Sequence, residues 1–280
     1  MQLLRILSFP VILILAVMVT TSSLEATKNY RQVCDRLDVG GHVGITVESI
    51  LEGLTLGLYT GGTDRVNDIN TLRESAENYY NRATLLGWSL FLLSLGLVVG
   101  GAFSTGKFRF TSLSIPDTIT VSVVFLLIGL IAPVINLVAY NDVALIGTVV
   151  FKFESKGILL TIYELFKNGN WLLSLLVFLF SVIVPCVKTV LIINVYRAGP
   201  ENGNGKTIRF LAIAGKWSMT DVFVVAILLA FFAIGADKGT DSWLSHGLYF
   251  FAGYCILSMM TFHLVQKRVK FEKAEIVTDY

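Results

Sequence analysis

Six runs of mainly apolar residues, 3–19, 83–103, 118–138, 171–196, 217–234 and 243–265, dominate this chain. A helix needs about 20 such residues to cross a bilayer. Inside hydrocarbon, only helices and closed barrels satisfy every backbone group. The pattern predicts an all-α integral membrane protein with about six transmembrane helices. Composition agrees, with 54% of residues hydrophobic and only 15% charged, against about 25% charged in soluble domains. Three cysteines, Cys34, Cys186 and Cys255, are too few for a disulfide framework or a thiolate metal cluster, and no cofactor or metal site is expected. A net charge of +2, with no basic run interleaved with aromatics, argues against nucleic acid as a partner.

Loop charges set the orientation. Lys107 and Arg109 follow the second run, Arg197, Lys206, Arg209 and Lys216 the fourth, and Lys267, Arg268, Lys270 and Lys273 the last. The positive-inside rule puts all three segments, and both termini, in the cytoplasm. Residues 22–82, 139–170 and 235–242 then face the outer side. The first run (within residues 1–22) has one early arginine and a short apolar core, so it is either a retained anchor or a cleaved signal peptide. No small-x-small cleavage pattern stands out, which favours the anchor. Either choice leaves residue 30 outside.

Residues 23–82 are expected to form a small, mainly helical ectodomain. Val47, Ile50, Leu51, Leu54 and Leu58 follow helical spacing, with glycine pairs 40–41 and 61–62 punctuating both ends. Residues 68–82 are polar and are predicted to run as a helix into the second span, in a unit extending over 83–116. Glu48, Glu52, Glu74 and Glu77 have no histidine or carboxylate recurring at ligand spacing, so they describe a solvated face; His42 is a lone histidine in a glycine-rich turn. In the loop before the fourth run, Val149, Phe151 and Phe153 alternate with polar or smaller neighbours, as in a strand. Residues 155–157 would turn it, 157–162 would return as a second strand, and 162–168 would form a short interfacial helix. Gly96 and Gly100 give the second span a small-xxx-small face, suited to internal packing or to a homo-oligomer, with internal packing the expected use.

Two charges interrupt these apolar runs: Lys188 in the fourth and Asp221 in the fifth. A charge within hydrocarbon is costly and normally faces a bundle interior, where it finds a partner. At about 1.5 Å per residue, both fall roughly 6–14 Å inside the cytoplasmic boundary, a depth that lets them meet. The plainer alternative is a snorkelling lysine and a capping aspartate. Pro185 removes the helical partner of the Ser181 carbonyl and predicts a kink one turn before Lys188. Ser181 and Lys188 are two turns apart on one face, and Ser218 neighbours Asp221. Thr261, with Ser258 one turn before it, adds a hydroxyl on the last run. A Ser or Thr alone more commonly bonds back to its own helix; convergence is what singles these out.

Three strings carry a family resemblance: LVFLFSVIVPCVKTVLII (176–193), KWSMTDVFVVAILLAF (216–231) and LSHGLYFFAGYCILSMMTF (244–262). With IAPVINL (131–137) and TIYELFKNGNW (161–171), they resemble the core domain of the paraquat-inducible protein A family, from about residue 116 to 266. The resemblance implies a four-helix membrane domain over 117–266, followed by a cytoplasmic tail at 267–280. It implies a bacterial inner membrane, so that the outer side is the periplasm. It also implies a polar network at Ser181, Lys188, Ser218, Asp221 and Thr261, and often a periplasmic MCE-domain partner that conducts lipid. The chain departs from better-known members by carrying one core domain in place of two, by lacking Cys-x-x-Cys pairs, and by its long leading region.

Two classes of function follow. One is an inner-membrane component of lipid or small-amphiphile transport, related to cell-envelope maintenance, whose polar network changes state. The other is a non-transporting scaffold or stress-response accessory protein that recruits a partner through the ectodomain. No activated nucleophile, metal cluster or phosphate loop is visible, so no enzyme is expected. Membrane lipids are the expected ligands.

Overall fold

The computed structural model describes residues 2–36, 61–103, 114–143, 147–198 and 240–278. The helix expected at 47–62, except for Gly61 and Gly62, and the run 217–234 with Ser218 and Asp221 lie outside the described residues.

Two long helices come first, α1 (Gln2–Arg36) and α2 (Gly61–Phe103). They pack as an antiparallel hairpin: Arg36 at the end of α1 pairs with Asp68 near the start of α2, and Val19 shares a buried cluster with Leu90. Helix α1 does not stop where its apolar run ends, at residue 19. It continues through 17 further residues to Arg36, and α2 likewise enters its span from a polar segment without a break. Small buried residues (Ala26, Ala76 and Ala83) let the two helices approach closely in the polar half. Both halves therefore belong to one rod each.

Helix α3 (Ser114–Ile131) is buried on almost every side, and over residues 115–131 only Leu127 and Ile131 face outward. An apolar helix without a polar face belongs at the centre of a bundle, and here α1, α2 and the later helices surround it. It ends earlier than the expected 138. The amide of Ala132 still donates to Ile128 O at 2.8 Å, but Pro133 has no N–H and disfavours helical geometry before it. The β-branched residues after it enter strand β1 (Pro133–Val143), which pairs antiparallel with β2 (Gly147–Gly157) in a register running from Pro133↔Gly157 to Val143↔Gly147. The expected hairpin is thus displaced. The strand at 149–153 pairs with the residues before it, and 155–157 finish β2 instead of turning it. Residues 158–162, expected as the return strand, open helix α4 (Ile158–Lys167).

The turn at Asn168–Asn170 holds Gly169 at φ +80°, a backbone region that favours glycine. Helix α5 (Trp171–Phe178) follows, then a π-helical turn (Leu179–Ile183), then α6 (Val184–Ala198). Strand β3 (Thr240–Leu244) adds to the free side of β1, giving the order β2-β1-β3, and leads into α7 (His246–Thr278). The last run therefore begins as strand, not helix, at 243.

Among the described residues, four helical stretches are long and apolar enough to cross a membrane: Ser8–Arg36, Val66–Val99, Trp171–Arg197 and His246–Gln266. The shorter apolar Ile115–Ile131 lies among them. The outward surfaces of the spans are rich in large apolar side chains, such as Leu85, Trp88, Leu92, Leu172 and Ile256. The chain is an all-α membrane-spanning protein carrying one small sheet. At Gly96 no atom of the described residues lies within 4 Å of where a Cβ would stand, so among them no neighbour uses this glycine for close packing.

Candidate intramembrane polar site

Buried positions on α6 and the preceding turn recur at Ser181, Pro185, Lys188, Ile192 and Val195, steps of four and three that mark one helix face. On α7 the corresponding stripe is Phe251, Tyr254, Ser258, Thr261 and Val265. The two stripes meet at two levels. Tyr254 Oη donates to Pro185 O at 3.1 Å and lies 3.5 Å from Thr189 Oγ1. About two turns further along, Ile192 and Val195 join Phe262 and Val265 in one apolar cluster, which Ile115 and Ile119 of α3 complete. Lys188 and Ser258 both fall between those levels.

A second, larger apolar cluster lies on the other side of this layer. It contains Val121, Val124 and Phe125 of α3, Ile12 and Val19 of α1, Leu90 of α2, and Phe251 and Tyr254 of α7. Polar side chains are thus sandwiched between two apolar layers where α3, α6 and α7 converge. Lys188 is only 6% exposed, and Ser181 and Ser258 are buried. Neither serine hydroxyl finds a hydrogen-bond partner among the described residues. Buried polar groups are normally satisfied, so these two hydroxyls have bonding capacity to offer a ligand or a second conformation. Thr261 is different: its hydroxyl donates to Leu257 O of its own helix at 2.7 Å and keeps only acceptor capacity.

Pro185 and the segment before it explain how α6 reaches this geometry. A proline in mid-helix removes one N–H and crowds the carbonyl four residues earlier. The chain absorbs this in the π-helical turn, where Val184 N–H donates to Leu179 O, five residues back. Such turns commonly mark functional stretches of helices. Ser181 sits inside it. Pro185 O accepts from both Thr189 Oγ1 and Tyr254 Oη.

The structure also buries a charge that sequence reasoning passed over. Asp117, on the first turn of α3, is 3% exposed, beside the equally buried Thr118. A carboxylate after Pro116 in a first helical turn reads as an ordinary helix start. Its burial comes from α6 and α7 closing over Ile115 and Ile119, which a one-dimensional pattern does not show.

A helical bundle with an apolar exterior and a buried, charged polar layer defines a multi-pass membrane protein with an internal polar site. Its family follows from comparison: the model for paraquat-inducible protein A matches residues 131–275, just over half of the chain. The chain belongs to that family. The match begins at the end of α3 and takes in the sheet and α4–α7, with α1, α2 and most of α3 outside it. No curated protein and no solved structure matches the chain.

Proposed function

We propose that this protein is an inner-membrane component of lipid or small-amphiphile transport serving the cell envelope, and that the buried polar layer is the element that changes state. The observation that carries this is Lys188, a lysine held 6% exposed between two apolar clusters. Burying an ammonium is unfavourable unless its surroundings compensate it. Helix packing alone is achieved more simply with apolar residues. Ser181 and Ser258, buried on the same two stripes, supply oxygen acceptors, and the family resemblance adds Ser218, Asp221 and Thr261 to the network. Orientation follows the loop charges, with both termini cytoplasmic and the α1–α2 hairpin extending into the periplasm. There it is available to an MCE-domain partner or a second copy of the chain.

The test is affinity purification of the full chain from its membranes, with lipid analysis of the purified material beside the bulk membrane. Enrichment of one lipid class, lost in Lys188→Met, is the expected result. A lipid profile equal to bulk in both proteins, with an intact protein partner, would overturn transport and support the scaffold class.

A further inference from the structure

His246, the first residue of α7, lies within the family-matched segment, yet its side chain is enclosed by the leading helices outside that match. Its Nε2 is 3.0 Å from Thr84 Oγ1 on α2, and its Nδ1 is 3.4 Å from Ser23 Oγ on α1. The Tyr80 ring packs on the imidazole, with centroids 5.0 Å apart. The hydroxyl proton of Thr84 is committed to Tyr80 O at 2.9 Å, so Thr84 accepts from His246 Nε2–H. That leaves Nδ1 to accept from Ser23, and one neutral imidazole bridges three helices. Tyr30 on α1 packs against Trp243 just before it, with centroids 6.1 Å apart.

Helix α7 is held stiffly at the same end. Ser245 N–H donates to Val134 O at 2.9 Å. A Cβ at Gly247 would stand 2.5 Å from Ala132 O, so the first turn of α7 lies directly on the α3–β1 junction. Ser258 and Thr261 follow on the same helix, about 18 and 22 Å along it at 1.5 Å per residue. We propose that His246 is a positioning residue that joins the α1–α2 hairpin to α7, so that the hairpin's docking sets the packing of the polar layer. A partner that moves the hairpin then acts on the layer through α7 without touching it. The coupling stands apart from what the layer carries, so a failure of the lipid experiment leaves it intact.

The test uses the full chain in membrane vesicles with two reporters. Cys255, buried on α7 between Tyr254 and Ser258, reports the layer through its alkylation rate once Cys34 and Cys186 are replaced by alanine. A cysteine pair at Tyr30 and Trp243, in a background free of other cysteines, reports docking through its cross-linking yield. His246→Ala should lower the cross-link and raise Cys255 alkylation by about fivefold or more, the usual lower bound of a coupled site. His246→Gln, which keeps an N–H donor for Thr84, should restore both. Loss of the cross-link with Cys255 unchanged would overturn the coupling, as would no change in either. Equal alkylation in the alanine and glutamine variants would reduce His246 to packing. If His246→Ala does not accumulate, Thr84→Val removes the acceptor, and the same outcomes decide.

Discussion

Tyr254 donates its hydroxyl to Pro185 O at 3.1 Å, which ties α7 to α6 at the residue where α6 recovers from its π-helical turn. Tyr254 is fully buried, so its hydroxyl has no water to fall back on. Tyr254→Phe keeps the ring and removes the bond. The expected loss is about 1 kcal/mol, the net worth of a typical hydrogen bond, because Pro185 O keeps its bond from Thr189. Thermal unfolding of the detergent-solubilised protein should show a small fall in Tm. A variant as stable as the parent would show that the contact between the stripes is held by packing alone.

Two glycines in apolar helices should respond oppositely to alanine. A Cβ at Gly129 would stand 2.8 Å from the backbone N and Cα of Phe251, so α3 and α7 cannot keep their separation around a methyl group. Overpacking of this kind costs about 1–3 kcal/mol. At Gly96 nothing among the described residues lies within 4 Å, and alanine should be neutral or raise stability through its better helix propensity. Paired Tm measurements decide it. Equal destabilisation at both sites would mean that Gly96 packs against the run 217–234 or a second copy of the chain.

The membrane class was legible because apolar runs of spanning length have few other uses, and the long α2 because polar helix and span join without a breaker. The end of α3 was not. Residues 131–138 are apolar, and a fully buried strand reads like a continuing helix. Only Pro133 marked the boundary. The sheet was half legible: alternation found the strand at 149–153, but its partner is the apolar segment from Pro133, which reads as the end of the preceding helix. On α6 and the turn before it, the spacing of Ser181 and Lys188 announced a common face, and the structure buries both, with Pro185 between them. Asp117 stayed hidden because its sequence context is that of a helix start. His246 stayed hidden because its partners, Ser23 and Thr84, are 223 and 162 residues away in sequence.

Orientation should be decided by two labels. Asn67 lies on the polar start of α2, while position 202 follows α6 in the segment that the positive-inside rule assigns to the cytoplasm. Single cysteines placed at Asn67 and Asn202 should react with a membrane-impermeant maleimide from opposite sides, Asn67 from the periplasm. Labelling of both from one side would sink the orientation, since an odd number of crossings must separate them.

Lys188 and Asp221 give the sharpest expectation. The sequence places both at similar depth near the cytoplasmic boundary, and the structure buries Lys188 in the polar layer. If Asp221 is its counter-charge, Asp221→Asn strands the lysine, and breaking a buried pair in this way costs about 3–5 kcal/mol. Lys188→Met should do comparable harm from the other side. The double variant should recover most of the lost stability, because no isolated charge remains. Transport should stay lost, because the layer then lacks the Lys188–Asp221 charge pair. Tm and complementation are therefore measured on both single variants and the double. A double variant that is stable and fully active would make the pair architectural and favour the scaffold class. Single variants that behave like the parent protein would show that the two side chains never meet.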